Sequence, residues 1–375
     1  MDIKKTANEE IKRVNRTNIY QLLRHNTALS RQDILMKLRL SLPTVTQNLS
    51  EMEKEGLVFA SGSIGNTGGR RAKTYSTVDN ARIAVGLDIT KHHITGVAVD
   101  LAGKVICQER VRVDFERSDQ YYQRIGAIVE KLIDDTGLDE ERILGVGIAV
   151  PGLVSGEGQL VYYGKVLDLT DMPCHEIAAH IPIPTKLVHD ASAAGFAEIW
   201  IGGNMKNAFY ITLNDSVGGA LIIDGEVFEG DTFRSAEVGH IRIVPHGKRC
   251  YCGGLGCMDA YCSASNLSNL SNGNIRDFFE MLQAGDQKAR EVWNEYQFYL
   301  ASAVNNVRML IDCPILLGGR VGMYMDSYID ELRKIAAEMD PFEDVCNYVH
   351  VCKYKNEATA TGAALMYIVP FLESI

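Results

Sequence analysis

Hydrophobic positions near the start of the chain recur with the spacing of amphipathic helices, in three groups between residues 11 and 56. Ser30 comes directly before the second group and has Asp33 three residues after it, which is typical of a helix N-terminus. Ser41 precedes the third group, and Pro43 stands just inside it, which is a second helix-start signal. The pattern therefore predicts three helices in succession.

The third of these helices has an apolar face and a polar, uncharged face. Val45, Leu49 and Met52 share the apolar face. The residues expected to point toward solvent are Thr44, Thr46, Gln47 and Asn48. Gln and Asn side chains can make bidentate hydrogen bonds to adenine, and Thr can offer a methyl group to thymine. We therefore predict that this face contacts the major groove of a double-stranded DNA operator.

Two β-prone runs follow Gly56 and flank a glycine-rich tip, which predicts a hairpin. The tip and the second run carry the cations Arg70, Arg71 and Lys73. Arg on a flexible loop suits the narrow, negative minor groove, whereas other Lys and Arg suit phosphates. Residues 1–80 are thus predicted to form a winged helix-turn-helix DNA-binding domain. The alternative is a three-helix protein-docking module with a solvated loop.

From Ile83 onward the helical spacing gives way to alternating and continuously apolar runs, which predict strands. A helical stretch then leads to the run "ILGVGIAVPGLV", which is typical of a buried strand. The same order of strands followed by helices begins again near residue 208. The simplest architecture is two similar α/β halves with a cleft between them, and ligands in such folds normally bind in that cleft.

The two ends of the chain differ in net charge. Residues 1–80 contain 13 Lys and Arg against eight Asp and Glu, although the whole chain of 375 residues has a formal net charge of −10. A basic head on an acidic body favours a polyanionic partner for the head alone. The start of the chain has no apolar signal-peptide core, and no long apolar run follows, so we expect a cytoplasmic protein with no membrane partner.

Part of the chain has the spacing of a metal site, H-x9-C-x-C-x4-C. Its residues are His240, Cys250, Cys252 and Cys257. Three thiolates and one imidazole suit tetrahedral Zn²⁺, and an ion whose four ligands all come from protein is structural. Cys262 and His246 are near enough in the sequence to be competing ligands. A coincidental Cys-rich turn is the alternative to a metal site.

The motifs of the body resemble, in order, those of the ROK family of sugar kinases and sugar-responsive repressors. They are "GLDI", "GVGIAVPGLV", "HDASAAGFAE", "EVGH", "CYCGGLGCMD", "LLGG" and "TGAA" within residues 83–367. The winged head resembles the repressor branch. The resemblance implies an α/β body of the two-lobed actin-like (ribonuclease H-like) ATPase fold over residues 81–375. The lobes are expected at about 81–195 and 196–375, and a return of the C-terminal helix to the first lobe is left open.

The resemblance also implies a sugar-binding site in the cleft. The expected contacts are Gly152, His189, Asp190, Glu237, His240 and Asp259, with Asp190 matching the catalytic base of the family's kinases. His189 and Ser192 stand where the family usually has Asn, and Asp259 stands where it has Glu, so the identity of the sugar does not carry over. The alternative for Asp190 alone is an N-cap or a solvated turn carboxylate, and the alternative for Glu237 is a surface charge.

The resemblance to the kinases fails at the phosphate-binding glycines, which let backbone N–H groups approach a phosphate. Residues 88–92 read Asp-Ile-Thr-Lys-His where the kinases have Asp-x-Gly-Gly-Thr, and the second loop keeps only Gly218 and Gly219. Lys91 offers a side-chain cation instead. We therefore expect a repressor with no catalytic residues, a sugar effector and a homodimeric or homotetrameric assembly. An active sugar kinase with a DNA-binding head, or a sugar-binding interaction module, is the alternative.

Overall fold

The computed structural model describes residues 3–64, 72–203, 205–354 and 357–375, with side chains from Glu10 onward. The N-terminal elements are α1 (Ile3–Arg24), β1 (Leu29–Ser30), α2 (Arg31–Leu38), α3 (Leu42–Lys54), β2 (Val58–Ile64) and β3 (Ala72–Thr77). The strands form an antiparallel sheet in the order β1-β3-β2. Three helices on a small antiparallel sheet are the predicted winged-helix arrangement, and α1 begins earlier than the hydrophobic pattern indicated.

The predicted start signals of α2 and α3 are confirmed. The Ser30 hydroxyl accepts from the Asp33 N–H at 3.2 Å, and the Asp33 carboxylate accepts from the Ser30 N–H at 2.9 Å. The Ser41 hydroxyl accepts from the Thr44 N–H at 3.3 Å. These bonds satisfy N–H groups that a helix leaves unpaired in its first turn. These side-chain caps therefore set the first residue of each of the two helices.

The first lobe is built on a five-stranded mixed sheet in the order β11-β7-β4-β5-β6. Its elements are β4 (Ile83–Ile89), β5 (His93–Asp100), β6 (Val105–Arg112), α4 (Asp119–Thr136), β7 (Ile143–Val150), β8 (Leu153–Val154), β9 (Leu160–Tyr163), β10 (Met172–Pro173), α5 (Cys174–Ile177), β11 (Thr185–His189) and α6 (Asp190–Gly202). The predicted buried strand is β7, which lies parallel to both β4 and β11. Helix α4 covers one face of the sheet.

The second lobe repeats this plan with a five-stranded sheet in the order β14-β13-β12-β15-β16. Its elements are β12 (Ala208–Leu213), β13 (Val217–Ile223), β14 (Glu226–Val227), α7 (Asp259–Cys262), α8 (Ala264–Ser268), α9 (Ile275–Gln283), α10 (Gln287–Leu310), β15 (Ile315–Gly318), α11 (Gly319–Gly322), α12 (Ile329–Ala337), β16 (Val349–Val351) and α13 (Ala358–Ser374). Trp293 of α10 is fully buried in the core of this lobe.

Helices α13 and α6 form a layer between the two sheets. Helix α13 lies on the first sheet, where a Cβ added to Gly147 would overlap the carbonyl oxygen of Ala363. The two helices meet at Gly362, where an added Cβ would overlap the carbonyl oxygen of Ala193, and α6 packs on the second sheet. Backbone-to-backbone packing leaves little room for one layer to slide on the next. The layer therefore packs closely on both sheets.

The head and the body share one hydrophobic cluster. It includes Tyr20 and Leu23 of α1 together with Leu101 after β5 and Leu365 and Ile368 of α13. The division of the chain near residue 80 stays a prediction, since packing crosses it. Among the described helices, none has the length and apolar character needed to cross a membrane.

Candidate functional site

The predicted metal ligands lie together in a compact His/Cys cluster made of His240, Cys250, Cys252 and Cys257. One donor atom from each residue falls within 4.8 Å of all the others. The His240 Nδ1 to Cys250 Sγ distance is 3.9 Å, and Cys252 Sγ lies 3.8 Å from Cys257 Sγ. A tetrahedral ion with metal–sulfur bonds of about 2.3 Å requires sulfurs about 3.8 Å apart. The cluster therefore fits a metal ion.

Backbone geometry holds the Cys loop in this shape. The Cys250 N–H donates to the Gly254 carbonyl at 2.9 Å, and the Gly254 N–H donates to Cys252 Sγ at 3.4 Å. Gly256 has φ +78°, and a Cβ added there would overlap the carbonyl oxygen of Val244. Sequence reasoning also named Cys262 and His246 as spare ligands. The structure places both outside the four-residue group, with Cys262 fully buried in the core of the second lobe.

Asp190 is the first residue of α6, at the cleft end of the helix. Its Oδ1 accepts from the Ala191 N–H at 2.7 Å and lies 3.2 Å from His189 Nε2, while His189 Nδ1 lies 3.2 Å from the Ser192 hydroxyl. The helix cap is His189, and its side chain makes no capping bond. The alternative that Asp190 is the N-cap is therefore wrong. Burial raises the pKa of Asp190, and His189 partly offsets this.

A second cleft carboxylate, Asp88, was not among the predicted site residues. It lies near the end of β4, next to the parallel strands β7 and β11 that also end at this edge of the sheet. Burial and then the charge of Asp190 raise the pKa of Asp88 to about 7, against the opposing effect of Arg110. Asp88 stands at the Asp of the kinase motif Asp-x-Gly-Gly-Thr, and this match is the sequence signal that could have identified it.

The remaining predicted sugar contacts have different surroundings. Asp259 is 6% exposed, and its Oδ2 accepts from the Val217 N–H at 2.7 Å, so one oxygen is committed to holding the start of β13. Glu237 is half-buried and directly precedes the turn that ends at His240. A Cβ added to Gly152 would lie 2.9 Å from the Tyr163 carbonyl oxygen, so packing on β9 already requires glycine there.

Tyr251, between two of the Cys ligands, was missed by sequence reasoning. Its hydroxyl lies 3.3 Å from His240 Nε2, and the two rings contact edge to face with centroids 5.4 Å apart. Burial first, and then the charges of Asp259, Cys250, Glu237 and Asp190, raise the pKa of Tyr251. The predicted carboxylates therefore act electrostatically on this hydroxyl. His240 faces the His/Cys cluster with Nδ1 and the Tyr251 hydroxyl with Nε2.

The predicted DNA-facing residues of α3 divide into two groups. Gln47 is exposed, and Thr44 and Thr46 are partly exposed. Asn48 is 2% exposed and donates from Nδ2 to the Thr44 carbonyl at 2.8 Å, so its predicted exposure is wrong. Its position completes the buried face three residues after Val45. The Thr44 carbonyl satisfies its Nδ2, while its Oδ1 is buried with no hydrogen-bond partner among the described residues.

Of the three hairpin cations predicted to contact DNA, the structure describes Lys73. The Lys73 ammonium lies 3.1 Å from a Glu53 carboxylate oxygen and 5.1 Å from the centroid of the Tyr75 ring. Lys73 is therefore held against α3 by a carboxylate. Arg70 and Arg71 lie outside the described residues.

Helix α6 joins the cleft to the head. It begins at Asp190, and near its other end the Arg24 guanidinium of α1 stacks on the Trp200 ring, 4.1 Å from its centroid. Burial lowers the pKa of Arg24, and the charges of Tyr20 and Asp79 oppose this effect. Nothing in the sequence signals this contact, because the two residues are far apart along the chain.

The fold and the site define a winged-helix protein whose body is a two-lobed α/β domain of the actin-like ATPase type. Residues 84–369 match the ROK family, and the chain belongs to this family.

Three known proteins illustrate the similarity. The putative xylose repressor of Caldicellulosiruptor sp. (strain Rt8B.4) is 25% identical over 392 residues, which cover 96% of this chain and 97% of the relative. A crystal structure of a ROK family transcriptional regulator, a homologue of the Escherichia coli Mlc protein, matches with a TM-score of 0.75 and 23% identity over 97% of each chain. A ROK family glucokinase from Streptomyces griseus, solved with glucose and AMPPNP, matches with a TM-score of 0.65 and 23% identity over 76% of this chain and 99% of its own.

Proposed function

We propose that the protein is a sugar-responsive DNA-binding transcriptional regulator that represses carbohydrate-utilisation genes. The observation that carries this proposal is α6, which begins at the cleft carboxylate Asp190 and meets the winged head at Trp200 and Arg24. A ligand that changes the lobe arrangement at Asp190 moves the helix layer on which α1 packs. The similarity to a protein named as a xylose repressor makes D-xylose the first sugar to test.

The proposed sugar site comprises the cleft residues already described. They are Gly152, His189, Asp190, Glu237, His240 and Asp259. Carboxylates suit a sugar because one carboxylate can accept from two neighbouring hydroxyls, and buried polar groups reject ligands that leave them unpaired. The second oxygen of Asp259 and both oxygens of Glu237 supply such acceptors.

The proposed metal is a structural Zn²⁺ ion held by His240 Nδ1 and by the thiolates of Cys250, Cys252 and Cys257. With four protein ligands, such an ion supplies no open position for water, and its role is to fix the loop. His240 then presents Nε2 to the cleft at a fixed position, because metal binding at one ring nitrogen sets the orientation of the ring.

For DNA binding we propose that Thr44, Thr46 and Gln47 contact bases in the major groove, and that Arg70 and Arg71 extend toward the minor groove. We propose that Lys73 leaves its ion pair with Glu53 and contacts a DNA phosphate instead. We further propose a homodimer, because paired heads on a pseudo-palindromic operator match two-fold protein symmetry.

A kinase function is disfavoured by the turn between β4 and β5. The Thr90 N–H donates to the His93 carbonyl at 2.9 Å, and the His93 N–H donates to the Thr90 hydroxyl at 3.1 Å. The Thr90 N–H, one of the backbone donors that could approach a phosphate, is therefore used within the turn. Gly218 and Gly219 of β13 pack against Ala191 and Ala236.

The test is capture of genomic DNA fragments by the zinc-loaded protein, followed by sequencing. We expect enrichment of fragments with an inverted repeat near sugar-utilisation genes, and altered recovery with one sugar of a panel led by D-xylose. Gln47→Ala is expected to weaken binding of a captured fragment about tenfold with an unchanged melting temperature. Ser50→Ala, on the same exposed helix, is the matched control. Recovery of random DNA, or a sugar-dependent ADP release from ATP, would contradict the proposal.

A further inference from the structure

On α3 a carboxylate contacts the side-chain amide of Gln47. Gln47 Nε2 donates to Glu51 Oε1 at 3.1 Å, and the two residues are one helical turn apart. An ionised carboxylate accepts hydrogen bonds and cannot donate them, so the amide meets it with the NH2 group and not with the oxygen. The contact therefore fixes which end of the Gln47 amide is the donor.

Glu51 is itself held in place by α1. The Lys12 ammonium lies 3.0 Å from the same oxygen, Glu51 Oε1, and one turn further along both helices Arg16 donates to Glu55 Oε1 at 2.9 Å. The hydrogen bonds from Lys12 and then from Gln47 lower the pKa of Glu51, so this side chain is ionised at neutral pH. Two successive ion pairs therefore join α1 to α3, and the first of them holds the carboxylate that binds Gln47.

A carboxylate at this position carries a cost for a helix that binds DNA. It repels the phosphates of the duplex, and an ion pair exposed to solvent adds little to the free energy of unfolding. Pairing with Lys12 cancels the charge of Glu51 and leaves its hydrogen bond to Gln47 intact. The orientation of the Gln47 amide is thus the property that Glu51 changes without adding net charge.

We infer that Glu51 is a positioning residue that gives Gln47 its preference for adenine. With one Nε2 hydrogen committed to Glu51, Gln47 offers one N–H donor and one acceptor, its Oε1. Adenine presents the complementary pair in the major groove, an acceptor at N7 and a donor at N6, whereas guanine presents two acceptors, N7 and O6. A Gln amide free of the carboxylate has two N–H donors for those two acceptors. The inference rests on the proposed contact between Gln47 and DNA.

The experiment is selection from a randomised DNA duplex library by the full-length, zinc-loaded protein, with sequencing of the bound fraction. We expect the wild type to enrich a motif with one position per half-site whose preference Gln47→Ala abolishes, and adenine to exceed guanine there about tenfold or more. In Glu51→Gln two amides face each other and pair in either orientation. The adenine-to-guanine ratio at that position is therefore expected to fall about fivefold or more, with the rest of the motif unchanged.

The matched control is Glu53→Gln, which removes an equal charge from the same helix and leaves the contact of Gln47 intact. It is expected to change the affinity for all sequences alike and to keep the adenine preference. Lys12→Met tests the same contact from α1 and is expected to lower the ratio in the same direction, whereas Lys12→Arg is expected to keep it.

Two results would overturn the inference while leaving DNA recognition in place. One is an unchanged adenine-to-guanine ratio in Glu51→Gln, and the other is an equal fall of this ratio in Glu53→Gln. If the wild type enriched no motif at all, the proposed DNA recognition would be wrong and the inference with it. The failure of the inference alone is therefore distinguishable from the failure of the proposed function.

Discussion

His240 connects two sites through the two nitrogens of one ring. Nδ1 faces Cys250 Sγ in the His/Cys cluster, and Nε2 faces the Tyr251 hydroxyl in the cleft. Tyr251 thus brings a hydroxyl to the place where Asp190, Glu237 and Asp259 act on it electrostatically. A sugar hydroxyl that enters this region must share these partners.

Replacing Tyr251 with Phe is expected to weaken sugar binding about tenfold, because a hydrogen bond to a charged neighbour is lost. The zinc content is expected to be unchanged, since the Tyr side chain supplies no metal ligand. Calorimetry with the sugar and elemental analysis of the metal measure the two quantities. Tyr299→Phe, at an aromatic contact on α10, is the control. Equal sugar affinity in wild type and Tyr251→Phe would remove Tyr251 from the site.

The raised pKa of Asp88 makes the free energy of unfolding depend on pH. Its pKa is about 7 in the folded protein and near 4 in the unfolded chain, so the folded state holds a proton that the unfolded state releases between these values. The contribution of this proton to the free energy of unfolding is fully present below about pH 4 and is lost as the pH rises through 7. Asp88→Asn is therefore expected to raise the melting temperature relative to wild type more at pH 8 than at pH 5.

Differential scanning calorimetry of the zinc-loaded protein at both pH values measures this effect. Asp134→Asn, on the exposed side of α4, controls for loss of one negative charge. If the difference between Asp88→Asn and wild type were equal at pH 5 and pH 8, the raised pKa would be contradicted.

At the scale of elements, α6 acts as a rigid connection between the cleft and the head. The layer is tightly packed, since Gly362 of α13 has no room for a side chain against Ala193 of α6. The far end of α6 reaches the head through stacking of Arg24 on Trp200. A small movement at Asp190 is thereby carried along the helix instead of being absorbed by loose side chains.

Trp200→Ala is expected to leave sugar affinity and DNA affinity each within about threefold of wild type while reducing the effect of sugar on DNA binding. The stacked pair lies at the junction of head and body, outside the proposed sugar and DNA contacts. Fluorescence anisotropy of a labelled operator fragment, with and without sugar, measures how much sugar binding changes the DNA affinity. Trp293→Phe, in the core of the second lobe, controls for loss of an indole. A full sugar response in Trp200→Ala would exclude this route.

The elements show what sequence patterns can predict. Helices α2 and α3 were predictable because their caps lie within three residues of the first turn. The strands β4 to β7 were predictable from alternation and from a continuous apolar run. Asn48 was placed wrongly because its Nδ2 bonds to a backbone carbonyl on the buried face, which a pattern of hydrophobic positions does not register.

The features of the site could be predicted only where they depend on residues that are close in the sequence. The four metal ligands were predictable because chain spacing alone brings soft donors together. Tyr251 had only a weak signal, a large aromatic residue between two ligands. The stacking of Arg24 on Trp200 had none, because it depends on how the elements pack.

For the whole molecule, we propose one mechanical path from the cleft to the head. The carboxylates at the start of α6 receive the sugar, and the hydrophobic cluster shared by head and body passes the lobe arrangement to α1. The sugar controls DNA binding only through a difference in its affinity for the two lobe arrangements.

The most direct measurement is operator affinity of wild type and Asp190→Asn, with and without saturating sugar, by fluorescence anisotropy at fixed salt. We expect sugar to change the wild-type affinity about tenfold or more and to leave Asp190→Asn unchanged, while the two proteins bind DNA equally without sugar. If Asp190→Asn still responded to sugar, or if wild type bound sugar with no change in DNA affinity, the proposed coupling between the cleft and the DNA-binding head would be wrong.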